Sequence, residues 1–148
     1  MNVEKIIKTD KKIPLPKRTI IHLFLVHNKT NEMFAKALKP FEISQQQFNV
    51  LRILRGQQGK PANLSTINDR MVSKMSNTTR LVDKLICRGH VERMVCEANR
   101  RKVEITITQQ GLDALSEMDK EMANTEKQVL QRFSHKELEQ LNKLLDKF

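Results

Sequence analysis

From Thr19 to Leu38 the apolar residues Ile20, Leu23, Phe24, Val26, Met33, Phe34, Ala37 and Leu38 return mostly at the spacing of one helix face. Lys39-Pro40 stops them. Upstream, residues 1–18 carry no sustained period, and Pro14 and Pro16 predict extended steps, so an N-terminal arm leads into this first helix. Ser44 and Gln47 form a capping box ahead of Phe48, Leu51, Ile53 and Leu54, with Ile43 and Phe48 placed to staple the chain entry. Gly56 and Gly59 end that second helix. A third, short helix is expected from Asn63 to about Met71, capped by Asn63 or Ser65, and a fourth from after Ser73 to the C-cap Gly89.

Beyond His90 the period falls from 3.6 to 2. Val91, Arg93 and Val95 alternate with Glu92 and Met94, and Val103, Ile105 and Ile107 alternate with Glu104, Thr106 and Thr108. Between them lies the polar corner Glu97-Ala98-Asn99-Arg100-Arg101, so the pattern predicts a hairpin with a basic tip. Helical spacing then resumes through Leu115, Met118, Met122, Val129 and Phe133, and a second capping box, Ser134 to Glu137, opens a last helix with Leu138, Leu141, Leu144, Leu145 and Phe148.

The order of elements predicts a mainly α chain with a small β-hairpin (α+β), a winged helix-turn-helix with extra helices on both sides. The 148 residues suit one domain, able to bury about 70% of the unfolded surface. It divides into the arm (1–18), flanking helices (19–39 and 109–148) and a winged helix-turn-helix lobe (44–108). With Val82 on the inner face, a 100° step puts Met75, Thr78, Leu81, Leu85 and Ile86 around it. The same step leaves Ser73, Ser76, Arg80, Asp83, Lys84 and Cys87 outside, with Asn77 flanking.

Charge sharpens this reading. The net +10 divides as +4 in residues 1–20, +4 in 21–73, +4 in 74–108 and −2 in 109–148, so the excess covers everything but the C-terminal helices. A basic outer helix face beside Arg93, Arg100, Arg101 and Lys102 is the electrostatic footprint of a nucleic-acid binder. Arginine at a hairpin tip suits insertion into a narrow minor groove. Solvation alone would also account for a basic face, and a non-specific architectural DNA binder or a helical protein-interaction dimer remain alternatives.

Four blocks in order resemble the MarR family of bacterial transcription regulators. They are Ser44-x-x-Gln47-Phe-x-Val50-Leu51, Met75-Ser76-Asn77-Thr78-Thr79-Arg80-Leu81-Val82-Asp83-Lys84-Leu85, Arg88-Gly89-His90-Val91-Glu92-Arg93, and Asn99-Arg100-Arg101-Lys102-Val103-x-Ile105-Thr106-x-Thr108-x-x-Gly111. The resemblance implies a homodimeric regulator of double-stranded DNA, reading an inverted repeat and responding to a small phenolic or lipophilic effector. It places Ser76, Asn77, Thr79 and Arg80 on the DNA-contacting part of the recognition helix and Arg101 on the wing. Ser73, Lys74, Lys84, Arg100 and Lys102 join the expected DNA-binding set. Ile20, Phe24, Leu138, Leu141 and Leu145 form the expected dimer interface, since their apolar stripes exceed what so small a lobe covers. The family's wing reads Asp-x-Arg, and here Asn99 replaces the aspartate, which removes an ion pair and puts wing rigidity in question.

Other chemistry finds little support. Cys87 and Cys96 lack C-x-x-C spacing and read as apolar packing, and no cysteine lies between Met1 and Ile86, where a peroxide-sensing thiol of the family would sit. His22 and His27 miss the i, i+4 spacing of a helical metal pair, so no metal or cofactor is expected. There is no Gly-rich phosphate loop, nucleophile elbow or clustered His and acid, so an enzyme is not expected. No apolar run reaches the ~20 residues of a membrane span, no signal peptide is recognisable, and the expected location is cytoplasmic.

Overall fold

A computed structural model describes residues 1–72, 77–95 and 103–148. Their elements are α1 (Val3–Ile6), α2 (Leu15–Leu38), a 3-10 turn (Lys39–Phe41), α3 (Gln45–Arg55), α4 (Leu64–Arg70), α5 (Thr78–Cys87), β1 (Val91–Val95), β2 (Val103–Ile107), α6 (Gln109–Leu130) and α7 (His135–Leu145). The fold is mainly helical with one antiparallel hairpin, in the expected order.

Local sequence signals set most helix starts. In both α3 and α7 the capping box is closed, Ser44 and Ser134 accepting from the backbone N–H of Gln47 and Glu137, whose side chains accept in return. Asn63, not Ser65, caps α4, its Oδ1 accepting from Thr66 N at 2.7 Å. Helix α2 departs from expectation by beginning at Leu15 rather than Thr19. Pro14 holds the extended N-cap conformation and Pro16 lies in the first turn, where a missing N–H costs no helical hydrogen bond. The prolines therefore start the helix instead of preceding it. The expected arm also contains α1, capped by Asn2 and docked on α2 through fully buried Val3 and a Glu4–Arg18 ion pair of 2.7 Å.

The core gathers inner-facing residues of α3 to α5 and β2 together with the flanking α6, including Leu51 of α3, Ile67 of α4, Val82 and Leu85 of α5, Ile105 of β2, and Leu115 of α6, all essentially without solvent exposure. Strand pairing runs from Val91 opposite Ile107 to Val95 opposite Val103. Ile105 exchanges two further backbone hydrogen bonds with Ala62, of 2.9 and 2.8 Å, which fasten the hairpin to the α3–α4 loop. Only Val91 of β1 is buried, while Met94 and Val95 are more than half exposed, so the hairpin projects past the lobe.

Helix α6 begins against the turn that follows α5. Thr108 Oγ1 donates to Gly89 O at 2.6 Å and accepts from Gly111 N at 3.0 Å, while Thr108 N donates to His90 O at 3.1 Å. A Cβ on Gly111 would lie 2.1 Å from His90 O and 2.9 Å from Ile107 Cγ1. That approach leaves room for hydrogen only. Gly111→Ala is therefore expected to lower unfolding free energy by about 1–3 kcal/mol, as overpacking against fixed backbone does. Urea denaturation of the variant beside the parent checks this, and an unchanged midpoint would refute it.

Candidate nucleic-acid interface

Helix α5 is amphipathic because its apolar residues fall three and four apart. Thr78, Val82 and Leu85 are buried and Leu81 and Ile86 half-buried, whereas Thr79, Arg80, Asp83, Lys84 and Cys87 are exposed on the opposite side. Thr78 Oγ1 donates to Asn68 Oδ1 at 3.0 Å, locking α5 to α4 across the helix-turn-helix. Asn77 occupies the N-cap with non-helical φ −125° and ψ 12°, so the helix starts at Thr78 rather than after Ser73. Its side chain makes no capping bond to the first-turn N–H groups.

The side chains of Arg80 and Lys84 make no ion pair or hydrogen bond among the described residues. They border an open groove that also includes Glu42, Gln47, Asp83 and Arg88. Arg93 of β1, expected on the basic surface, is engaged instead, reaching Asp83 at 2.7 Å, and Arg88, the C-cap of α5, reaches Glu42 at 3.0 Å. Residues ten and forty-six apart meet here through tertiary structure, and no local pattern marks either pair. Arg55 similarly pairs with Asp119, joining α3 to α6.

Ser73, Lys74, Ser76, Arg100, Arg101 and Lys102 lie outside the described residues, as do Asn99 and Cys96. Thr79, Arg80 and Lys84 share the exposed face of α5, with half-buried Asn77 at its start. Cys87 is exposed, which corrects its reading as apolar packing. It falls on the polar side of α5, where nothing covers a small side chain. Ile20 and Phe24 of α2 and Leu141 and Leu145 of α7 are exposed, at 48%, 65%, 37% and 43%, and Leu138 is half-buried. No cluster of metal-ligating side chains occurs among the described residues, and no helix there is long and apolar enough to cross a membrane.

A helix-turn-helix with a hairpin packed beside its second helix defines a winged-helix protein. The sequence pattern of the MarR family matches residues 43–103. The chain is 30% identical over 124 residues to the HTH-type transcriptional regulator PecS of Dickeya dadantii (strain 3937), covering 82% of this chain and 71% of PecS. It is 28% identical over 122 residues to the transcriptional repressor MprA of Escherichia coli (strain K12), covering 82% and 69%. A mutant MarR from E. coli, solved in complex with operator DNA, shares the fold with a TM-score of 0.76 at 21% identity, covering 99% of this chain and 98% of that one. The chain belongs to the MarR family of transcriptional regulators.

His90 stands at the junction of recognition helix and wing, its N–H donating to Leu85 O at 3.0 Å. Its Nδ1 is buried without a hydrogen-bond partner among the described residues. Burial, reinforced by the neighbouring Arg88 charge, holds its pKa below the usual 6.5. Between that lowered value and 6.5 the unfolded chain binds more protons than the folded one, so stability rises with pH through this window. Glu4 and Glu137, held low mainly by hydrogen bonds from Arg18 and from the Ser134 backbone, act differently. Their contribution is present above the ordinary carboxylate range and is lost only in acid. Urea midpoints are thus expected to increase from pH 5.5 to 7.5, and His90→Gln to flatten that rise; an equal rise in the variant would assign it elsewhere.

Proposed function

We propose that two copies of this chain bind an inverted-repeat operator in double-stranded DNA and repress transcription there, each placing α5 in the major groove. The observation that carries this reading is that Arg80 and Lys84 are exposed on the outer face of α5 and form no ion pair among the described residues, behind a helix start whose N-cap side chain makes no capping bond. Thr79 of α5 with Asn77 at its start, Ser73, Lys74 and Ser76 before it, and Arg100, Arg101 and Lys102 between β1 and β2 would complete the DNA contacts. Ile20 and Phe24 of α2 with Leu138, Leu141 and Leu145 of α7 join the two copies, leaving residues 44–108 as the DNA-binding lobe. The exposed apolar rows on those helices support this division.

A small phenolic or lipophilic effector would release the DNA by fixing the two lobes at a spacing that no longer matches the half-sites, which lie about 34–36 Å apart. An open groove between α2 and α3, bordered by Ala35 and Ile43 among polar and charged residues such as Glu32, Lys36, Lys39 and Gln45, is a candidate place for such a molecule. The protein acts in the cytoplasm by binding, with no catalytic step.

Fragments of the source genome retained by the purified protein at physiological salt should include a few sites sharing an inverted repeat. On such a site Arg80→Ala and Arg101→Ala should each cost about 1–3 kcal/mol, titrated by fluorescence anisotropy. Uniform retention of all fragments would instead indicate an architectural protein, and no retention a protein-interaction dimer.

A further inference from the structure

Arg88 is the point at which three parts of the molecule meet. As the C-cap of α5 it follows the recognition helix directly. Its guanidinium donates to Glu42 Oε2 at 3.0 Å and, more weakly, to Phe41 O at 3.5 Å, both in the corner that joins α2 to α3. Its own carbonyl accepts from Gln110 Nε2 of α6 at 3.3 Å. The corner is itself fixed. Leu38 at the end of α2 is fully buried, the 3-10 turn follows without a break, and Glu42 adopts a left-handed φ of 53°. Gln45, just past the corner, donates to Asn31 O of α2 at 2.7 Å.

The pair does not serve mainly to hold the fold together. The Glu42 side chain is 75% exposed and that of Arg88 35%, and ion pairs so open to water add little to folding stability. A carboxylate is also out of place on electrostatic grounds alone, because Glu42 borders the groove shared with Arg80 and Lys84, the surface meant for a polyanion. Its geometry accounts for it: a planar guanidinium held by two acceptors of one corner has a fixed direction as well as a fixed place.

We infer that Arg88, held by Glu42 and Phe41 O, is a positioning residue that references the recognition helix to the end of α2, and so sets the half-site spacing the dimer accepts. This rests on the operator-binding reading above. The inference turns on orientation, and orientation and charge predict opposite signs for the same substitution. Removing the Glu42 carboxylate makes the groove more positive, so if Glu42 were only a charge near DNA, Glu42→Gln would bind operator more tightly. If it aims α5 through Arg88, the variant binds operator less tightly while its affinity for unrelated DNA does not fall.

The experiment measures the parent, Glu42→Gln, Arg88→Gln and the double variant by anisotropy on the retained operator, on operators with one or two base pairs added or removed between half-sites, and on unrelated DNA. Melting temperatures are recorded alongside. Glu42→Gln is expected to weaken operator binding about 5-fold or more, to flatten the preference for one spacing, and to leave melting nearly unchanged. The double variant should be no weaker than Arg88→Gln alone, since both act through one contact. Operator binding by Glu42→Gln that is equal or tighter, an unaltered spacing profile, or a loss that tracks a fall in melting temperature would each overturn the inference. A parent that selects no inverted repeat would instead remove the operator reading itself.

Discussion

The first turn of α6 lies so close to the turn after α5 that Gly111 leaves no room for a side chain against His90 O. Much of the lobe is organised around that contact. Thr108 completes it by bonding Gly89 and capping α6 with the same hydroxyl, so the end of β2, the start of α6 and the exit from α5 share one small patch of backbone. Recognition helix and wing are consequently held to the long helix that leaves the lobe, not only to each other.

Around this corner the ion pairs follow a pattern. Asp83 ties α5 to β1, Glu42 ties the end of α5 to the α2 corner, and Asp119 ties α6 to α3. Each joins separate elements across partly exposed surface, where the gain in stability is small and the gain in direction is what remains. Asp83 within this lobe and Glu42 just before it each neutralise an arginine beside the α5 face. Arg80 and Lys84, which form no ion pair among the described residues, stand on the exposed face of α5.

What could be read from the sequence depended on range. Capping boxes at Ser44 and Ser134, the two strands and, from Thr78 to Cys87, the inner and outer faces of α5 are set within a few residues and are as expected, whereas the alternation of β1 does not carry to burial, since only Val91 of that strand is buried. The start of α2 was misjudged because proline is as compatible with a first helical turn as with an extended step, and α1, a single turn, depends on docking Val3 and Glu4 against α2. Residue type alone suggests packing for Cys87, whereas its helical position places it outside, and the exposed side chain follows position. The pairs Arg88–Glu42 and Arg93–Asp83 had no local signature, since helix and strand geometry alone do not say which distant side chains come within 3 Å.

Helix α7 has 11 residues, a closed capping box and no buried residue. A helix shorter than about 12–15 residues is marginal in water when nothing packs against it. The box sets where α7 begins but not whether it persists, and its leucine row gains little from its own chain. Order in this terminal segment and coverage of its apolar row are therefore a single equilibrium, so the apparent stability of the C-terminal helix depends on protein concentration whenever the covering surface is a second copy.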